Sequence, residues 1–113
     1  MKAVENISLA ELTEMSERMY GELVKAVVDI ERKVVVVDAD MHADEESWLL
    51  ENGSRQSGLW GINLYPEFFG TDDFIEFDSM INLRPTQHNR SRSVEDPETR
   101  DKIRVLIAEV VHE

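Results

Sequence analysis

The 113-residue sequence predicts a single α+β domain. Three observations lead there. Apolar residues recur at helical spacing near both ends of the chain, β-branched runs fill the middle, and no Pro-, Gly- or Ser-rich linker divides it. The expected order is α-β-β-α-β-β-α, with about four mainly antiparallel strands and the helices packed on one face. A chain of this length removes roughly two thirds of its unfolded surface from water. With 42% hydrophobic residues it has the material for a core.

Each element has its own signal. Ser8-Leu9-Ala10-Glu11 has the form of a capping box, and Leu12, Met15, Met19 and Leu23 follow at helical spacing. A first helix is therefore expected to about Gly21. Valine and isoleucine dominate ELVKAVVDIERKVVVVDAD on both sides of Glu31-Arg32-Lys33, which predicts a hairpin with central strands near 23–30 and 33–38. Asp44 is expected to cap a short second helix that stops at Asn52-Gly53. Residues 54–58 read as a loop.

Leu59 to Tyr65 reads as a third strand, with Trp60, Ile62 and Leu64 on one face, Gly61 and Asn63 on the other, and Pro66 ending it. Phe74 to Leu83 reads as a fourth. There Ile75, Phe77, Ile81 and Leu83 point to the core, while Asn82 and Arg84 project from a polar sheet face beside Asn63. Asp96-Pro97-Glu98 opens the last helix, whose stripe is Ile103, Leu106, Ile107, Val110 and Val111. Trp48 and Trp60 are expected in the core.

Charge and composition exclude several functions. The net charge of −12 argues against nucleic acid as a partner, because phosphate neutralisation needs a clustered basic surface. The absence of cysteine removes disulfides, thiolate zinc sites and a cysteine nucleophile. The longest aliphatic run, Val34 to Val37, is far too short for a bilayer, and no signal-peptide run opens the chain. A cytoplasmic protein without membrane contact is expected.

Two segments could carry chemistry. In KVVVVDADMHADEE, Asp38, Asp40, Asp44, Glu45 and Glu46 crowd around His42. A strand ending in Asp-x-Asp resembles the first motif of haloacid-dehalogenase-type phosphatases, but that motif lies on a central parallel strand, and the tight turn here predicts an antiparallel hairpin. An EF-hand loop is excluded by Ala43 and Leu49 at its sixth and twelfth positions. If the chain is extended, Asp38, Asp40 and His42 share a face that Asp44 joins, a donor set suited to magnesium, manganese or iron(II). The alternative is an acidic helix N-terminus that complements the macrodipole.

The second segment is INLRPTQHNRSRS. Between Ser79 and Val94 the chain has three arginines and no acidic residue. Arg84 and Arg90 suit an anion, Gln87 and Asn89 add amides, and His88 can exchange a proton near neutral pH. The loop either holds a ligand or closes on the chain's own carboxylates.

HADEE, ENGS, LWGINLYP, EFDSMINLRP and NRS, in this order, resemble a family of small prokaryotic proteins classed as a domain of unknown function, over about Leu9 to Val110. The resemblance implies a free-standing cytoplasmic protein and supplies no activity, cofactor or catalytic residue. From the residues themselves, the first expectation is a small-ligand site or an enzyme built on the polar sheet face and the 84–93 loop. His42, Asp44, Glu46 and His88 would supply acid-base groups, and Asn63, Asn82, Arg84, Gln87, Asn89 and Arg90 would hold an anionic or polar small molecule. The competing expectation is a non-catalytic interaction module or homodimer that uses its acidic surface.

Overall fold

A computed structural model describes residues 1–113. Its framework is a five-stranded antiparallel sheet in the order β1-β4-β3-β5-β6. The strands are β1 (Lys2–Val4), β3 (Val24–Asp29), β4 (Val34–Val37), β5 (Leu59–Leu64) and β6 (Ile75–Glu76). A small parallel pair, β2 (Ile7–Ser8) with β7 (Val111–His112), ties the two ends of the chain together. Three helices complete the α+β domain: α1 (Leu9–Arg18), α2 (His42–Glu51) and α3 (Pro97–Val110). None is long and apolar enough to cross a membrane.

The helix signals act as their chemistry requires. Ser8 Oγ accepts from the Glu11 amide at 3.1 Å, and Asp96 caps α3 through the Thr99 amide and hydroxyl. The hairpin forms between β3 and β4, both flanked by other strands. Asp29 shapes its turn, accepting from the amides of Glu31 and Arg32 and from Ser54 Oγ.

Alternation along β3 and β5 makes two apolar layers. Val24, Ala26, Val28, Trp60, Ile62 and Leu64 join Leu12 and Met15 of α1 and the α3 stripe in the main core. Val27, Val36 and Leu59 face the other way and pack with Leu49 of α2. The helices therefore lie on both faces: α1 and α3 on one, α2 on the other. Helices on one face alone would have left Val27, Val36 and Leu59 exposed to water. Trp60 is buried, whereas Trp48, on the flank of α2, is 37% exposed.

Three further expectations are corrected. The second helix starts at His42 with Met41 as its cap residue, so Asp44 sits inside the first turn rather than capping it. The first helix stops at Arg18, short of Gly21. Most consequential, the strand expected from Phe74 to Leu83 ends at Glu76. Beyond it Ser79 caps a 3₁₀ turn over Met80–Asn82, a second 3₁₀ turn follows at Pro85–Gln87, and the chain runs irregularly to α3. Leu83 and Met80 are exposed and Ile81 joins the second layer, while Asn82 and Arg84 are buried.

Gly61 explains where the strand pairing stops. A Cβ on it would stand 2.5 Å from Ser79 Cβ, so the irregular segment presses directly on the β5 backbone. Only Asn63 and Leu64 of β5 are paired with β6. At Gly61 the partner is instead the Asn82 side chain, whose Oδ1 accepts from the Gly61 amide at 2.8 Å and whose Nδ2 donates to its carbonyl at 2.9 Å. One carboxamide thus supplies the donor and acceptor that a neighbouring strand would supply.

Candidate functional site

The cationic segment is occupied by its own backbone. Arg84 is buried, stacks 4.4 Å over Trp60, and donates to the carbonyls of Ile81, Gln56 and Leu59 and to Gln87 Oε1. Burial lowers its pKa, and the nearby charge of Glu46 opposes that shift. Asn89 donates to the carbonyls of Asn82, Ser91 and Ser93 and accepts from the Glu95 amide. Gln87 donates to the Ser57 carbonyl. Arg92 pairs with Asp78 at 2.7 Å. Asn82, Arg84, Gln87 and Asn89 therefore spend their hydrogen-bonding capacity inside the fold. His88, at a left-handed φ of 60°, and Arg90 are exposed at the outside of the loop.

The acidic segment does not gather as a metal centre. Asp38 adopts a positive φ of 67° and turns the chain, so Asp38, Asp40 and His42 do not line one extended face. No group of three or more histidine, aspartate or glutamate side chains is placed to hold a metal ion. Asp38 faces Arg18 at 3.8 Å, and Asp40 and Asp44 are exposed.

A different grouping emerges on the α2 side of the sheet. Lys25 of β3 is the register partner of Asn63 on β5, and Asn63 is the partner of Glu76 on β6. Alternation places the three in one row across three strands, on the face opposite the main core. Asn63 Nδ2 donates to Glu76 Oε1 at 2.8 Å, while its buried Oδ1 has no partner. Lys25 Nζ rests 4.9 Å over the Tyr20 ring and makes no ion pair. The row thus offers an ammonium group and a carboxylate that the Tyr65 hydroxyl also meets, above a buried amide oxygen without a partner.

The N-terminal turns of α2 stand over this row. His42, Glu45 and Leu49 form the buried side of the helix. His42 Nε2 lies 2.8 Å from the Ile62 carbonyl. A carbonyl only accepts, so Nε2 carries the proton and Nδ1 is left as an acceptor with no hydrogen bond. Burial lowers the His42 pKa; the Ile62 carbonyl and Asp78 oppose this, while Lys25 and Arg92 add to it. The imidazole is neutral at pH 7.

Glu45 is fully buried, and neither of its carboxyl oxygens has a partner. Burial pushes its pKa up to about 10, against weaker opposition from the Ala39 backbone and Lys25. A neutral acid and a neutral base thus sit one helical turn apart. Glu46 lies on the other flank, close enough for Arg84 to feel its charge.

Of the residues predicted from sequence, His42 and Asn63 meet at this row. Glu46 reaches the neighbouring Arg84, and Asp44, His88 and Arg90 stand outside it. Lys25 and Glu76 lie outside both segments singled out from the sequence, and Glu45 stands there only among the acids around His42, although alternation through Val27 and Asp29 already puts Lys25 on the face of Asn63. The helical spacing of His42, Glu45 and Leu49 likewise marks one buried side. A family model described as "Protein of unknown function (DUF5674)" matches residues 2–110. No curated protein and no solved structure matches the chain.

Proposed function

The chain belongs to the DUF5674 family of proteins of unknown function, and from its geometry we propose that it binds a small, anionic, hydroxyl-bearing molecule on the Lys25–Asn63–Glu76 row. The observation that carries this reading is the set of unused groups beside one another. His42 Nδ1 is an acceptor without a partner, and Lys25 is a cation without a carboxylate partner. Lys25 meets the anionic group, and His42 Nδ1 takes the hydroxyl donor. The neutral imidazole can accept a proton from a bound hydroxyl, which gives the same site a general base. Glu45 touches no solvent and so does not itself reach a ligand.

The test is a heteronuclear NMR titration of the labelled protein with glycolate, malate and inorganic phosphate. At least one hydroxy acid is expected to shift the signals of Lys25, His42, Asn63 and Glu76 together, and Lys25→Ala is expected to weaken that binding at least tenfold. Shifts confined to residues 84–93, or none with any of the three probes, would contradict the assignment.

A further inference from the structure

The helix over the polar row is attached unlike the other two. The α1 and α3 side of the sheet belongs to a core of 19 buried apolar residues, the α2 side to one of four: Val27, Val36, Leu49 and Leu59. Only Leu49 of these comes from α2. The helix turns His42 and Glu45 inward beside it and leaves Trp48 and Leu50 exposed. That inverts the usual pattern, and a buried acid without a partner weakens the packing it sits in. Neither Glu45 oxygen has a partner.

Few bonds hold α2 down. At its N-terminal end the His42 ring meets the Ile62 carbonyl at 2.8 Å, and the Tyr20 hydroxyl donates to the Asp40 carbonyl. At its C-terminal end Arg32 donates to the Asn52 carbonyl at 2.8 Å. The flanking chain turns sharply on both sides, with Asp38 at a φ of 67° and Gly53 at 99°. A segment with so small an apolar layer can open while the rest of a domain stays folded.

We propose that α2 is a hinged cover, which swings off the sheet while the main core stays intact, and that Glu45 sets how often it opens. Opening hydrates the Glu45 carboxyl and uncovers the buried Asn63 and the row around it. Closing returns His42 Nδ1 to whatever Lys25 holds. What the cover admits rests on the hydroxy-acid assignment; the motion itself does not.

The surrounding charges fix its pH dependence. Lys25 of β3, the N-terminal ammonium and the Ala39 backbone favour a charged Glu45, and Asp44 disfavours it. Burial outweighs them all, and the closed carboxyl is neutral, its pKa pushed up to about 10 from 4.5. The open helix restores the ordinary value, so the opening constant rises about tenfold for each pH unit between the two. His42, faced by Lys25, Asp78 and Arg92, has a lowered pKa when closed and so favours opening only as pH falls below 6.5. From pH 7 to pH 8 Glu45 dominates.

The chain has no cysteine, so a single thiol can report the motion. Val27 and Val28 are neighbours on β3, the first under α2 and the second in the main core. Thiol labelling of the full chain is measured at each position, every rate divided by that of a free cysteine peptide at the same pH. At pH 8 Val27→Cys is expected to label at least about tenfold faster than Val28→Cys. Its rate is expected to rise about tenfold from pH 7 to pH 8, to stay flat in low urea, and to lose the pH rise when Glu45→Gln is added. Val36→Cys on β4 gives the same readings if Val27→Cys does not fold. Equal rates at the two faces would overturn the proposal. So would a rate under α2 that climbs with urea as steeply as that of Val28→Cys, because only global unfolding would then expose this side. A pH rise that survives Glu45→Gln would overturn the role of Glu45. No ligand is added, so this outcome is separate from that of the hydroxy-acid titration.

Discussion

Glu45→Gln is expected to change how the stability of the domain responds to acid, removing a loss of about 3 kcal/mol at pH 7 at the cost of the amide hydrogens it buries. In the folded state burial holds the Glu45 carboxyl neutral, its pKa pushed up to about 10 from an ordinary 4.5. A raised folded pKa contributes stability that is complete below the unfolded value and declines as pH rises toward the folded one. Between pH 4.5 and pH 7 that decline runs at about 1.4 kcal/mol per pH unit. Glutamine keeps the shape of the protonated acid and removes the linkage.

His42 acts with the opposite sign. Its folded pKa is depressed, so its contribution is present above 6.5 and is lost as pH falls below it. From pH 8 to pH 6.5 the natural chain should gain stability on acidification, and below 6.5 the two effects largely offset. Glu45→Gln should show no such gain from Glu45 and a steeper loss below pH 6.5. Urea unfolding at pH 8, 7, 6 and 5, followed by tryptophan fluorescence, reads both slopes. Parallel slopes in the two proteins would mean that Glu45 is ionised or paired in solution.

Asn82→Ala is expected to destabilise the domain by about 3 kcal/mol. The carboxamide satisfies the amide and the carbonyl of Gly61 and also donates to the Arg92 carbonyl at 3.0 Å. Alanine leaves the Gly61 amide and carbonyl without these partners, at about 1–3 kcal/mol for each buried group so stranded, while the Arg92 carbonyl keeps the Ser79 amide. Asn82→Asp keeps an acceptor for the Gly61 amide but sets its second oxygen against two carbonyls, so it should be no better than alanine. Amide exchange at Gly61 should accelerate in both variants. A loss below about 1 kcal/mol would show that β5 does not depend on this side chain.

These expectations show where sequence was informative. The caps at Ser8 and Asp96, the β3–β4 hairpin and the two faces of β5 all follow from local chemistry that repeats or has a fixed offset. Residues 79–93 follow no period. A carboxamide that stands in for a strand at Gly61, and a guanidinium that closes on three carbonyls, use long-range partners that no spacing along the chain reveals. The arginines and amides there read as ligand groups because sequence shows their donors and not the carbonyls that use them. Glu45 was hidden for a related reason: in Asp44-Glu45-Glu46 all three acids suit a helix N-terminus, and only the position of the sheet decides which one is buried. The pairs β2 and β7 are two residues each, too short for alternation to register.

The central functional claim is that His42 presents an unprotonated Nδ1 to the Lys25–Asn63–Glu76 row. The most direct measurement is the imidazole ¹⁵N spectrum of the full chain between pH 5.5 and pH 8. The predicted result is an Nε2–H tautomer that becomes half-protonated only below pH 6.5, with the Nδ1 resonance moving when a hydroxy acid binds. An Nδ1–H tautomer, or an imidazole half-protonated at or above pH 6.5, would contradict it.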